Sequence, residues 1–297
     1  MVLELRVNVS SVMRELDVAM RVLTEARIVS RYRRIFKGRG LEFEDFRNYT
    51  EDDDSSRIDW KASKRVNKLL IRQFKEERDM NVYFIVDVSS SMLFGSTKKL
   101  KYEYAAELVA ALSHFILQSG DRIGLVMFTD KVVKYIEPAK GQDHFYVMLQ
   151  TLLDPKYYGG RYNLSNAMNF VMRTATEKSL GFLITDFIGL DRNWERSMKL
   201  VSTKLDGVAM MVRDPRDRKL PSGVGQVVIS DPFTGKEMLV DSNDESRMDY
   251  ERYVARQEDH IRHALKESSW DLVELSTDES FIVPVIQFLK RREILFR

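Results

Sequence analysis

Residues 83 to 92 read YFIVDVSSSM and place Asp87, Ser89 and Ser91 at alternate positions just past an apolar run. A carboxylate and two hydroxyls on one short turn are hard oxygen donors. They suit magnesium, which prefers about six such ligands in near-octahedral geometry and commonly keeps several waters. The hydroxyls ligate without adding charge, so an ion held this way stays electrophilic and can take a carboxylate from another molecule. A second carboxylate follows a similar run: LGFLITDF, residues 180–187, ends in Thr185 and Asp186. If the two runs are neighbouring strands, Asp87 and Asp186 share one crevice and can serve one cation.

Such a site needs a scaffold that brings strand ends together. Tyr83 to Val86 is rich in β-branched and aromatic residues, which predicts a strand buried on both faces. In open α/β sheets ligands bind at the carboxyl ends of such strands. From about residue 82 onward, apolar runs alternate with amphipathic stretches: NVYFIVD, LKYEYAAELVAALSHFILQ, DRIGLVMFTD, NLSNAMNFVMRTATE, SLGFLITDF, DGVAMMVRD, WDLVELST and FIVPVIQFLKRRE. That order predicts a doubly wound, mostly parallel α/β sheet covered on both faces. In the helix after the serine motif, Tyr104, Ala105, Leu108, Val109, Leu112, Phe115 and Ile116 share one face at spacings of three and four.

Two short β-like runs around Pro232-Phe233-Thr234-Gly235 predict an inserted hairpin near 215–241. Ser242 and Glu245 then stand in capping-box spacing at the head of a long exposed helix. His260 and His263, three apart on that helix, read as a solvated face and not as a metal pair.

Residues 1–80 differ in character. Positions 12–28 carry helical periodicity, RYRRIFKGRG (31–40) is basic, and FEDFRNYTEDDDSSRIDW (43–60) is dense in charge and aromatics. We expect a collar packed on a main domain of residues 81–297, with Ile58, Trp60 and KLLIRQF (68–74) turning apolar side chains toward the rest of the chain. Consecutive acids from Glu51 to Asp54 read as a solvated loop.

Composition limits the function classes. With 297 residues, 44% of them hydrophobic, the chain can build a sizeable core. Its 47 basic and 45 acidic residues nearly cancel. The net field therefore gives no reason to expect nucleic acid or an anionic membrane as main partner, although Arg31, Arg33, Arg34, Lys37 and Arg39 are a local patch able to meet phosphates. The absence of cysteine excludes thiolate metal sites and cysteine nucleophiles and fits a reducing compartment. The first twenty residues carry charges every few positions, and no stretch has the length of a membrane span. A cytoplasmic location is expected.

Together these residues carry a resemblance. Asp87, Ser89 and Ser91 after a core strand, DRIGLVMFTD, and Asp186 after a later strand resemble a von Willebrand factor A domain with its metal-ion-dependent adhesion site, over roughly residues 80–296. GRGLEFEDFRNYTEDDDSSRIDWKASKR (38–65) and LLIRQFKEERDMNVYFIVDVSSSM (69–92) resemble the signature of the prokaryotic family catalogued as domain of unknown function number 58. The resemblance implies Asp87, Ser89, Ser91 and Asp186 as ligands of magnesium, with manganese or calcium as alternatives. It also implies a protein partner supplying an acidic residue. Members of that family are commonly encoded beside AAA+ ATPases of the MoxR type, which implies a chaperone-like or assembly role. Asp52 and Ser56 depart from the family's usual glycine and arginine, and the metal pattern departs as well: where a Gly-x-Thr-x-Leu threonine belongs, YYGGRYNLSNAM places Tyr162. A neutral phenol is a bulky, poor ligand, so this coordination point is either lost or moved to Asn163 or Ser165.

Two function classes follow. One is a non-catalytic, metal-dependent interaction module. The other is magnesium-dependent phosphoryl transfer with Asp87 as nucleophile. Aspartate nucleophiles generally have a second carboxylate two residues on, where this chain has Ser89, and GGRYN lacks the lysine of a phosphate-binding loop. The binding reading is the one the residues favour.

Overall fold

The computed structural model describes Tyr32, Phe36 and residues 42–50, 53–75 and 79–295. The periodic stretch 12–28, the basic patch from Arg31 to Arg39 and Glu51 and Asp52 lie outside the described residues.

The main sheet has six strands: β3 (Asn81–Asp87), β4 (Arg122–Phe128), β5 (Val132–Ala139), β6 (Ser179–Thr185), β7 (Leu205–Arg213) and β10 (Trp270–Ser276). Their order is β10-β7-β6-β3-β4-β5. All neighbours pair in parallel apart from β5, which runs antiparallel to β4 at the edge. The expected doubly wound α/β architecture is therefore present. Trp270 lies in register with Gly207 on β7, and a Cβ at Gly207 would stand 2.3 Å from the indole, so only glycine admits this ring.

Alternation along β3 distributes its side chains between two apolar layers. Val82, Phe84 and Val86 join α2 (Lys101–Gln118), α3 (Gln142–Leu152) and α8 (Ile282–Leu295). Tyr83 and Ile85 join α4 (Leu164–Thr174), α5 (Trp194–Val201) and α7 (Asp244–Glu267). Each side chain buried in this way contributes about 1.5–3 kcal/mol of apolar transfer. The register of the strand ends is thus enforced from both faces.

The hairpin forms from β8 (Gln226–Ser230) and β9 (Glu237–Asp241), following the short helix α6 (Pro215–Arg218). The cap of α7 is Asn243 and not Ser242: Asn243 Oδ1 accepts from Ser246 N at 2.8 Å, while the Ser242 hydroxyl donates to Pro221 O. His263 is exposed, and His260 meets Glu195 at 3.1 Å.

Near the N-terminus, β1 (Glu42–Asn48) pairs antiparallel with β2 (Leu70–Lys75), and α1 (Trp60–Val66) precedes β2 with Asp59 as its cap. Tyr32 and Phe36 join the α2 and α8 core, and Ile71 is buried. Trp60 departs from expectation: it is 68% exposed, because it occupies the first position after the Asp59 cap, where α1 begins. Asp53 is paired through both oxygens with Arg47, and Asp54 accepts from Ser56 N, so this end of the acidic loop is held by local bonds.

Candidate ion-binding site at the strand ends

From β3 the chain passes to β4 on one side, and β6 returns on the other, so the carboxyl ends of β3 and β6 flank the point where the winding reverses. Asp87 closes β3, and Thr185 closes β6 beside it. Asp87 Oδ1 accepts from Ser89 N at 2.9 Å, and Oδ2 accepts from Thr185 Oγ1 at 2.7 Å. Ser89 Oγ and Ser91 Oγ stand 3.2 Å apart across a single turn of 3₁₀ helix, Ser90–Leu93. Asp87, Ser89, Ser91 and Asp186 are all buried. Burial, and then the charge of Asp186, push the Asp87 carboxyl up to about 7.

Asp186 faces a residue that the strand pattern did not point to. Lys101, the first residue of α2, is 1% exposed, and its ammonium donates to Asp186 Oδ2 at 2.7 Å and to Asp217 Oδ2 at 2.9 Å. Burial pulls this lysine down, but the two carboxylates outweigh burial and hold it above the ordinary lysine range. The second Asp186 oxygen accepts from Ile188 N at 2.9 Å. Lys101 falls in phase with Tyr104, Ala105 and Leu108 on the buried face of its helix. A basic residue at an apolar-face position is the signal that could have found it.

Tyr162 is buried, its ring packed on Phe128 with centroids 5.7 Å apart, and its hydroxyl lies 3.2 Å from Thr185 Oγ1. The phenol is pushed well above its ordinary range by burial and by Asp87. Asn163 and Ser165 are engaged elsewhere. Asn163 caps α4 by accepting from Asn166 N at 2.8 Å, and Ser165 donates from both its hydroxyl and its amide to Asp191.

A glycine loop fastens the serine turn from above. Gly159 N donates to Val88 O at 2.8 Å, Ser90 N donates to Gly160 O at 3.0 Å, and Gly160 N donates to Ser90 Oγ at 2.9 Å. Both glycines have positive φ, +107° and +94°, which a side chain would oppose.

The donor set of Asp87, Ser89 and Ser91 fits a small hard cation in chemistry, since all its atoms are oxygens and the hydroxyls have one another as side-chain partners. Asp186 has the right chemistry too, but unlike Asp87 it already receives an ammonium, that of Lys101, whose positive charge opposes a second cation. Among the described residues no three histidine or carboxylate side chains gather to hold a metal, so an ion here would depend on hydroxyls. No helix among the described residues is long and apolar enough to cross a membrane.

Comparison with known proteins finds relatives by sequence and more distant likenesses by structure. An uncharacterised protein of Mycobacterium tuberculosis is 26% identical over 260 residues, covering 87% of this chain and 81% of that one. Uncharacterised protein YeaD of Bacillus subtilis is 31% identical over 107 residues, 36% of this chain and 24% of its own. Among solved structures, the conserved hypothetical protein BatB from Bacteroides thetaiotaomicron superposes with a TM-score of 0.47 at 15% identity, covering 72% of this chain and 98% of that one. A von Willebrand factor type A protein from Catenulispora acidiphila superposes with 0.36 at 12%, covering 49% and 36%. At these scores the structural likenesses carry no functional argument. The match that decides membership spans residues 45–260, and by it the chain belongs to the family described as Protein of unknown function DUF58.

Proposed function

We propose that the chain is a non-catalytic interaction module whose partner, supplying an acidic residue, docks at the carboxyl ends of β3 and β6, and that this partner is an AAA+ ATPase of the MoxR type. The observation that carries the reading is the convergence of Asp87, Ser89, Ser91, Thr185 and Asp186 at the reversal point of the sheet. Asp87, Ser89 and Ser91 would hold a magnesium, manganese or calcium ion. When bound, that ion supplies an electrophilic point for a carboxylate. Thr185 orients Asp87, and the Gly159–Gly160 loop, bonded to Val88 and Ser90, holds the turn that carries the serines.

Phosphoryl transfer by Asp87 has less support, because Ser89 at the second position on cannot serve as a carboxylate acid and base. Co-purification tests the proposal. A AAA+ ATPase should be recovered with the wild type under gentle lysis with nucleotide and magnesium, and lost with Asp87→Ala. Recovery of no ATPase, or equal recovery with both proteins, would defeat the assembly reading.

A further inference from the structure

The cation beside Asp186 in this fold is an ammonium. Lys101 is pinned along its length: its backbone N donates to Phe94 O at 3.0 Å, its Nζ lies 5.6 Å from the centroid of the Phe94 ring, and the ammonium bridges Asp186 and Asp217. The far carboxylate is itself fixed. Asp217 Oδ2 also accepts from Asp214 N at 2.9 Å, and Asp214 accepts from Ser96 N, Ser96 Oγ and Thr277 Oγ1. A buried carboxylate without a partner is costly, so the two acids hold the ammonium in place. A divalent ion drawn to Asp186 would meet that positive charge at close range, in surroundings that screen it poorly.

We infer that Lys101 is the resident counter-ion of Asp186 and withholds this carboxylate from a divalent cation. Asp87, Ser89 and Ser91 are then the chain's own ion ligands, and Lys101 is the positioning residue that sets the affinity of the site. The inference rests on the ion-dependent reading proposed above and specifies how the chain limits it. It makes ion binding a competition between an internal ammonium and an external cation, coupled through Asp217 to the ends of β7 and β10.

The test is calorimetric titration of Mn²⁺ into the full chain as wild type, Asp87→Ala, Asp186→Asn, Lys101→Gln and the Lys101→Gln/Asp186→Asn double variant, with urea unfolding of the same set in EDTA. Asp87→Ala should abolish binding. Asp186→Asn should change the Kd by less than about threefold, since that carboxylate is already spent, whereas Lys101→Gln should tighten binding by about tenfold or more. Adding Asp186→Asn to Lys101→Gln should remove the gain. In EDTA the unfolding penalties of Lys101→Gln and Asp186→Asn should overlap, the double variant falling short of their sum by at least about fivefold in the unfolding constant.

Asp186→Asn weakening the ion as much as Asp87→Ala, or Lys101→Gln binding no tighter than wild type, overturns the inference. Additive penalties in EDTA, with Mn²⁺ bound by the wild type, overturn the pairing and leave the ion reading standing. Absence of binding in every variant, Lys101→Gln included, overturns both. Should Lys101→Gln fail to fold, the Asp186→Asn titration still decides, because that variant keeps Lys101 paired with Asp217.

Discussion

Thr185 Oγ1 lies 2.7 Å from Asp87 Oδ2 and ties the end of β6 to the end of β3 through a buried hydrogen bond. The neighbouring main chains are already paired in parallel up to Val86 and Ile184, so the hydroxyl acts on the side chain and not on the register. It selects one orientation of the Asp87 carboxylate.

Thr185→Val keeps the shape of the side chain and removes this donor, leaving a fully buried carboxylate oxygen unpaired. The expected loss is about 1–3 kcal/mol of stability, while Thr185→Ser, which keeps the hydroxyl, should stay within about 1 kcal/mol of wild type. Urea unfolding in EDTA measures both. Equal stability of all three proteins would mean that the carboxylate is oriented without the threonine.

Gly160 adopts φ +94°, and an added Cβ would find its nearest neighbour, Thr129 Cβ, at 4.0 Å. The cost of Gly160→Ala is therefore backbone strain without a clash, about 1–2 kcal/mol. It should fall on the clasp over the serine turn. Amide exchange at Ser90 and Gly160 should speed up by about tenfold, the ratio that about 1.4 kcal/mol produces. Gly120→Ala, at φ +85° with open space around it, carries a similar strain at the end of α2 and should leave Ser90 unchanged. Acceleration by both variants alike would show a global effect and no clasp.

Several elements were plain from residue types because a single physical pressure acts on every position in them. Strands β3 and β6 are apolar along their middles, being covered on both faces, and the first ends in Asp87 while the second ends in Thr185 with Asp186 just beyond. Strand β5 was not anticipated. Val132–Ala139 mixes Lys134, Glu137 and Pro138 because one edge faces away from the sheet, where a missing ladder donor costs little. Charge alone suggests one metal ion shared by Asp87 and Asp186, whereas the cation that the fold supplies to Asp186 is the Lys101 ammonium, 85 positions away in the chain and shared with Asp217. No local spacing joins Lys101 to Asp186, and only the packing of α2 on the sheet brings them together. Trp60 misled for the opposite reason. Its apolar bulk suggested burial, but its place after the Asp59 cap turns it outward.

Tyr162 stands where a threonine ligand was expected, and its ring fills space against Phe128 that a threonine would leave open. Tyr162→Phe removes only the hydroxyl, 3.2 Å from Thr185, and should stay within about 1 kcal/mol of wild type. Tyr162→Thr should lose about 2–5 kcal/mol through the cavity it creates. Urea midpoints compare the two. If Tyr162→Thr proved as stable as wild type, the ring would be dispensable for packing, and its place at the site would need another explanation.

The inserted hairpin is anchored by its tip. Phe233 packs on Gly189, three residues beyond Asp186, where a Cβ would stand 2.6 Å from Phe233 Cε2. Asp231 Oδ1 holds the turn by accepting from Phe233 N at 2.8 Å and Thr234 N at 3.0 Å. Away from the tip, Val228 and Leu239, opposite one another on the two strands, are each 60% exposed, so little else on that face of the hairpin resists its lifting. Phe233→Ala should release the hairpin and leave the sheet intact: cleavage within residues 226–241 by a low dose of protease should accelerate several-fold, with global stability changed by less than about 1 kcal/mol. Gly189→Ala should accelerate the same cleavage from the opposite side of the contact, by pushing the ring away, and at φ +82° it adds about 1–2 kcal/mol of backbone strain of its own. An unchanged cleavage rate in both variants, or a drop in stability of the size expected for a core residue, would show that the tip is not what holds the hairpin beside the strand ends.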